Sequence, residues 1–191
     1  MNSILRLAFL LTCILSGLFL IPLSSLSQDY RRWQMNQDGS ITWTVKNPEA
    51  HDDHIEMSGK QISAVLRYGV GVDGSFHATR SLVWPMLRTI PNNTHASLTR
   101  RFAQDGFETV LINGKPIAGE KVKNITLNGI LQVQSKTDNG FELTREYFPS
   151  TDQPVYYELY IIKNVSPKEA VIEVPSTHLE YTTDPVKGTE G

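Results

Sequence analysis

The stretch Phe141–Val174 constrains the fold most, because strand-like alternation recurs in it between turn-forming segments. The residues Phe141–Phe148 place two sets of side chains on opposite faces of a strand: Phe141, Leu143, Arg145 and Tyr147 against Glu142, Thr144, Glu146 and Phe148. A Pro-Ser-Thr-Asp-Gln-Pro segment interrupts this pattern, and Val155–Val165 resumes it with aromatic and β-branched residues. Asn164–Lys168 then turns the chain again. The stretch predicts consecutive strands of a sheet and not an active site.

Turn signals recur along the chain with the spacing of antiparallel β-proteins. Asn113-Gly114 and Asn128-Gly129 each separate apolar segments, and Asp138-Asn139-Gly140 precedes the strand that begins at Phe141. No uninterrupted helical period follows the N-terminal apolar run. We therefore predict an all-β, antiparallel β-sandwich. Its further candidate strands are Ile41–Lys46, His54–Ser58, Gln61–Val70, Ser75–Trp84 and Leu98–Gln104.

The glycine-rich string from Gly69 to Gly74 resembles a phosphate-binding loop only superficially. A nucleotide loop requires a helix to open directly after it, whereas Ser75–Trp84 has a strand pattern. We interpret the string as a Gly-Asp-Gly hairpin.

The N-terminus has the layout of a secretory signal peptide. Arg6 is followed by an apolar run from Leu7 to Ile21, and Ser25-Leu26-Ser27 fits a small-x-small cleavage site. An uncleaved anchor helix is the alternative. We predict a cleaved signal helix over residues 1–27, a leader over 28–40, the sandwich over 41–183 and a truncated linker over 184–191, with no stable membrane anchor.

Charge and cysteine content limit the partners and the compartment. The chain has 18 Lys and Arg against 20 Asp and Glu, which argues against nucleic acid or an anionic membrane as a partner. Cys13 is the only cysteine, so the processed chain has neither disulfides nor thiolate metal sites. These features favour a bacterial periplasmic or secreted protein.

The densest group of potential metal ligands is His51-Asp52-Asp53-His54. Imidazole and carboxylate groups bind divalent metals, and a metal-dependent enzyme is one hypothesis. However, residues three apart on a strand point to opposite faces, so His51 and His54 converge only in a loop. We favour a solvated polar turn before a strand, and we predict neither a metal nor a cofactor.

The segment Arg80–His95 carries the side chains best suited to carbohydrate. An indole can cover the apolar face of a sugar, and planar polar groups can bond its hydroxyls. The alternative is that the indole packs in the core and that Pro85 and Pro91 only break strands. The candidate substrate-binding residues are Trp84, Arg88, Asn92, Asn93 and His95.

Catalytic residues are not identifiable from the sequence. Hydrolysis of a glycosidic bond requires two carboxyl groups on either side of the bond. Asp and Glu are plentiful, but their contexts indicate exposed strand faces or turns. No nucleophile elbow or metalloprotease helix motif is present.

Three segments together resemble the N-terminal super-sandwich, a galactose-mutarotase-like domain, of bacterial six-hairpin glycoside hydrolases. They are His54–Gly59, Arg80–His95 and Arg145–Pro149. The resemblance implies that a helical (α/α)6 barrel follows the sandwich and carries the catalytic carboxylates. This chain would then be a fragment, inactive alone, of an exported enzyme of carbohydrate degradation. The alternative is a stand-alone carbohydrate-binding or adhesive sandwich.

Overall fold

The structure is a computed structural model, and it describes residues 32–46, 50–88, 97–103, 106–176, 178 and 180. The secondary structure of these residues is β, apart from one turn of 3-10 helix at Gly106–Thr109. No helix among them is long and apolar enough to cross a membrane. The strands are β1 (Trp33–Met35), β2 (Ile41–Thr44), β3 (His51–Ser58), β4 (Ser63–Val70), β5 (Phe76–Arg88), β6 (Ser97–Phe102), β7 (Leu111–Ile112), β8 (Lys115–Pro116), β9 (Glu120–Leu127), β10 (Leu131–Thr137), β11 (Phe141–Pro149), β12 (Tyr156–Asn164) and β13 (Ile172–Glu173).

Six strands form the larger sheet, in the order β1-β2-β9-β10-β11-β12. Strands β9 to β12 follow one another as an antiparallel meander, connected at the turns predicted around Gly129 and Gly140. The hairpin of β1 and β2 joins this meander from far away in the sequence, since Thr44 lies opposite Asn124. Strand β1 falls within the segment assigned above to a leader, so this sheet begins before residue 41.

Four strands form the second sheet as a simple meander, β3-β4-β5-β6. The turn between β4 and β5 is closed by a hydrogen bond from Gly71 N to Ser75 O of 2.9 Å, and Gly74 has a φ of 81°. Glycine adopts this left-handed conformation without steric cost. The Gly-Asp-Gly hairpin interpretation is therefore confirmed.

The core lies between the two sheets. The larger sheet contributes Trp43, Val122, Ile125, Leu131, Val133 and Tyr147, and the smaller sheet contributes Met57, Leu66, Tyr68, Val70 and Ala78 to the same cluster of buried side chains. On β11 the predicted alternation is confirmed, because Phe141, Leu143, Arg145 and Tyr147 are all buried. The described residues thus form mostly antiparallel sheets with a shared core, consistent with an all-β sandwich.

A small third sheet has the order β13-β7-β8. Its β7–β8 hairpin turns at Asn113 and Gly114, with φ angles of 52° and 72°. Two consecutive positive φ angles are typical of a type I′ turn. The Asn-Gly hairpin prediction is confirmed.

Two interpretations need correction. The polar-turn interpretation of residues 51–54 is wrong, because these residues begin strand β3. This strand lies at an edge of its sheet, where charged side chains are well tolerated. Strand β5 also continues past Pro85 to Arg88, whereas the strand predicted above ends at Trp84 and Pro85 was considered a strand breaker. The proline is accommodated at a register shift between Trp84 and Arg88, where it does not interrupt a regular ladder.

Candidate functional site

The predicted sugar-binding residues Trp84 and Arg88 lie on β5, and Asn92, Asn93 and His95 lie outside the described residues. Trp84 donates a hydrogen bond from Nε1 to the carbonyl oxygen of Pro154 at 2.9 Å. Its half-buried ring packs against a small apolar cluster that includes Ile62 and Leu82. These contacts anchor the indole, which agrees with the alternative in which Trp84 packs against the core.

The β5–β6 arm consists of the paired ends of these two strands, Trp84–Arg88 with Ser97 and Leu98. Pairing between β4 and β5 ends where Ser63 lies opposite Val83, and beyond that point β5 pairs with β6. Arg88 Nη1 donates to Ser97 Oγ at 2.8 Å. Met86 and Leu87 are 73% and 51% exposed. The arm therefore presents apolar side chains beside a guanidinium group at one end of the sheet.

A polar groove runs over the outer face of the four-stranded sheet. Asp52 Oδ1 and His77 Nε2 are 2.6 Å apart, on the two strands that flank Gly69 of β4. A Cβ atom at Gly69 would collide with both side chains, so glycine makes this contact possible. The groove, of about 720 Å³, is also lined by His54, Arg67 and Thr79. Both side chains of the Asp52–His77 pair are largely exposed to solvent.

The histidines of the candidate metal-ligand group do not converge. The imidazole of His51 packs edge-on against the ring of Trp43, with the ring centroids 5.4 Å apart. His54 is exposed and lines the groove. Within the part of the chain that the structure describes, no group of three or more His, Cys, Asp or Glu side chains has the geometry to hold a metal ion.

Arg145 and Glu120 form an ion pair inside the sandwich. The guanidinium donates from Nη1 and Nη2 to the two carboxylate oxygens at 2.5 and 3.0 Å. It also lies over the ring of Phe107, 4.4 Å from the centroid, and near Phe76 at 5.3 Å. A cavity of about 400 Å³ borders the pair. Because the charges satisfy each other, we interpret the pair as structural.

A second internal ion pair joins the two sheets. Arg80 Nε of β5 is paired with Glu158 of β12, and Tyr160 donates a hydrogen bond to the same carboxylate at 2.6 Å. The expectation that the Asp and Glu residues lie on exposed faces or turns is therefore wrong for Glu120 and Glu158, whose side chains are 12% and 13% exposed. The available signal was Arg145 itself, since an arginine on an apolar face requires a carboxylate partner.

The outer face of the six-stranded sheet carries a row of polar side chains that sequence reasoning missed. This polar ladder consists of Thr42, Thr126, Gln132 and Glu146, which lie opposite one another on β2, β9, β10 and β11. The hydroxyl oxygens of the two threonines are 3.0 Å apart, and Gln132 Nε2 donates to Glu146 Oε1 at 2.8 Å. Each member adjoins a buried residue on its strand, so its side chain faces away from the core.

Two other rows lie on the same face, one on each side of the polar ladder. On one side, Phe148 and Tyr157 stack with centroids 5.3 Å apart. On the other side, Glu142 is bridged by Lys136 at 3.0 Å and by Lys163 at 3.3 Å. These hydrogen bonds and the lysine charges hold the pKa of Glu142 below its ordinary value. The face thus changes from an aromatic row, through a polar row with one carboxylate, to an ion-paired row.

Comparisons of the sequence with protein-family models and with curated proteins, and of the structure with solved structures, gave no match.

Proposed function

We propose that the chain is the non-catalytic N-terminal β-sandwich of an exported bacterial glycoside hydrolase. In this proposal the sandwich is of the super-sandwich, galactose-mutarotase-like type, and a helical (α/α)6 barrel that follows it performs hydrolysis. The antiparallel architecture supports the proposal. The resembling segments also support it, since His54–Ser58, Arg80–Arg88 and Arg145–Pro149 all lie in strands.

The observation that carries the proposal is the β5–β6 arm. Its Met86 and Leu87 are adjacent, exposed and located where the chain projects beyond β4. Exposed apolar patches mark surfaces that bind another protein body, and the proposal assigns Met86 and Leu87 to such a patch. An accessory domain requires such a contact to hold its catalytic domain, and Arg88 would lie at the rim of that contact.

The internal carboxylates agree with a non-catalytic role. Glu120 and Glu158 are held by Arg145 and Arg80, as in structural ion pairs. A glycosidase acid must instead release its proton to the leaving group during the reaction. In our proposal the acid and the base both belong to the barrel.

The test compares residues 28–191 with the protein encoded by the gene continued beyond Gly191. We expect the longer protein to hydrolyse aryl glycosides or polysaccharides and residues 28–191 to be inactive. In that protein, Met86→Ser with Leu87→Ser should lower activity or weaken domain association. Val72→Ser, which alters an equally exposed apolar side chain at the β4–β5 turn, is the matched control. Turnover by purified residues 28–191 would overturn the proposal.

The second candidate is a stand-alone carbohydrate-binding or adhesive sandwich, which the polar ladder favours. The coding sequence after Gly191 separates the two candidates. Continuing helical repeats with paired carboxylates support the hydrolase, whereas an immediate stop codon supports the stand-alone protein.

A further inference from the structure

We propose that the outer face of the six-stranded sheet binds an uncharged polysaccharide chain, with the polar ladder as the hydrogen-bonding surface and Tyr157 as the stacking platform. This site is separate from the β5–β6 arm, and it does not depend on whether a catalytic barrel follows the sandwich.

The ladder has the donors and acceptors that vicinal hydroxyl groups require. Gln132 is a planar amide bonded to the carboxylate of Glu146, and both side chains keep further hydrogen-bonding capacity. Thr42 and Thr126 continue the row with two hydroxyl groups. Neighbouring strands are about 4.8 Å apart, which is comparable to the length of one hexose unit. Consecutive sugars laid across the strands would therefore meet successive ladder residues.

A second row of polar side chains, on β9 and β10, extends this polar surface. Asn124 Nδ2 donates to Gln134 Oε1, and Gln134 Nε2 donates to Gln132 Oε1, both at 3.4 Å. These long bonds connect amide groups that are free to exchange partners with a ligand. Planar amides held in a network of this kind are oriented before a sugar arrives, which lowers the entropy cost of binding.

Apolar surface adjoins the ladder at β12. Tyr157 is 43% exposed, and its ring is held from behind by Phe148. On the same face, Leu159 and Ile161 are also exposed. Sugars present an apolar C–H face as well as hydroxyl edges, and an immobilised ring covers that face at a small cost in conformational entropy. The combination of Tyr157 and the ladder therefore matches both surfaces of a pyranose.

The charges indicate an uncharged ligand. Glu142 is bridged by two lysines, Lys136 and Lys163, so the excess positive charge of this group lies at one border of the face and outside the ladder. The ladder itself carries one carboxylate, Glu146, which accepts from Gln132. A uronate or sulfated chain would approach Glu146 without a cation in the ladder to offset the repulsion. A protein partner fits less well, because the cores of protein interfaces are depleted of Glu and Lys.

The test measures retardation of the purified chain, residues 28–191, in native gels that contain soluble starch, arabinoxylan, mixed-linkage β-glucan, galactomannan or polygalacturonate. We expect retardation by at least one of the four uncharged polysaccharides. Tyr157→Ala and Gln132→Ala should each weaken it about tenfold or more, equivalent to about 1.4 kcal/mol. His54→Ala, on the outer face of the other sheet, should leave it unchanged.

Three outcomes would overturn the proposal. They are no retardation by any of the uncharged polysaccharides, retardation that persists in both Tyr157→Ala and Gln132→Ala, and retardation by polygalacturonate alone. Circular dichroism and thermal melting of each variant establish that a loss of binding is not a loss of fold. These outcomes are independent of the hydrolase proposal, which is tested by activity of the longer protein.

Discussion

Arg145 of β11 reaches past β10 to Glu120 of β9 and donates two hydrogen bonds to its carboxylate, so one ion pair connects three strands of the larger sheet. The guanidinium lies over Phe107, which places the 3-10 turn against the same pair. The pair thus joins the sheet to the segment that leads into β7.

Removal of one member of this pair should destabilise the fold strongly. Arg145→Ala leaves the Glu120 carboxylate without its cation, and breaking a buried pair in this way costs about 3–5 kcal/mol. Urea unfolding measures the change. Lys136→Ala is the control, because its pair with Glu142 is exposed and should contribute about 0–1 kcal/mol. Equal losses in the two variants would contradict a structural role for the internal pair.

Stability should fall in alkali because of Tyr68. Burial, assisted by the negative charge of Asp53, raises the pKa of this phenol above its ordinary value of 10.0. Above pH 10 the unfolded chain loses a proton that the folded chain retains, so ionisation favours unfolding by about 1.4 kcal/mol per pH unit for this group.

Tyr68→Phe should remove this part of the alkaline decline, although the variant loses a buried hydroxyl. The measurement is the free energy of unfolding across the alkaline range. Tyr157→Phe is the matched control, since its ring is exposed on the outer face. If the Tyr68→Phe protein declines as steeply as the unaltered chain, the assignment to Tyr68 is wrong.

A methyl group at Gly69 should be poorly tolerated. The added Cβ would lie 2.6 Å from both the carbonyl oxygen of His51 and Nε2 of His77, and it would overlap Asp52. Overpacking of this kind costs about 1–3 kcal/mol. We expect a lower melting temperature for Gly69→Ala. A partial recovery in Gly69→Ala with Asp52→Ala would identify the side-chain part of the clash, and an unchanged melting temperature in the single variant would refute it.

Export should remove the N-terminus. The apolar run from Leu7 to Ile21 and the Ser25-Leu26-Ser27 site predict a mature protein that begins at Gln28. Mass spectrometry of secreted or periplasmic material checks this directly. Recovery of a chain with intact Met1 from membranes would favour the anchor-helix alternative instead.

Local patterns in the sequence were sufficient to predict most strands and turns of the two meanders. Alternation identified the buried face of β11, and Asn-Gly identified the β7–β8 turn, because both signals act over a few residues. The pairing of β2 with β9 was not predictable, since it depends on contacts between distant segments. Only the first residues of strand β3, His51–His54, were mistaken for a turn, because their polar side chains suit an edge position that only the sheet order defines.

The residues of the candidate sites also divide into those with a local sequence signal and those that only long-range pairing brings together. Trp84 and Arg88 form a local cluster in the sequence, yet the indole of Trp84 is hydrogen-bonded to the carbonyl oxygen of Pro154, which lies in the connection between β11 and β12. The polar ladder was invisible in the sequence because its members come from four strands. The alternation on β11 was sufficient to assign Glu146 to the outer face. Its pairing with Gln132 was not predictable, because it depends on the register between β10 and β11.

The pairing of β2 with β9 also sets an order of events during folding. Within the group β3 to β6, and within the group β9 to β12, each pairing joins strands that are adjacent in the sequence, so each group forms by closing short loops. The β1–β2 hairpin has no place to dock until β9 has been synthesised. We expect its docking to be a late step, as long-range contacts slow folding. During folding, Trp33 and Trp43 would therefore remain exposed longest, so their fluorescence reports the completion of the larger sheet.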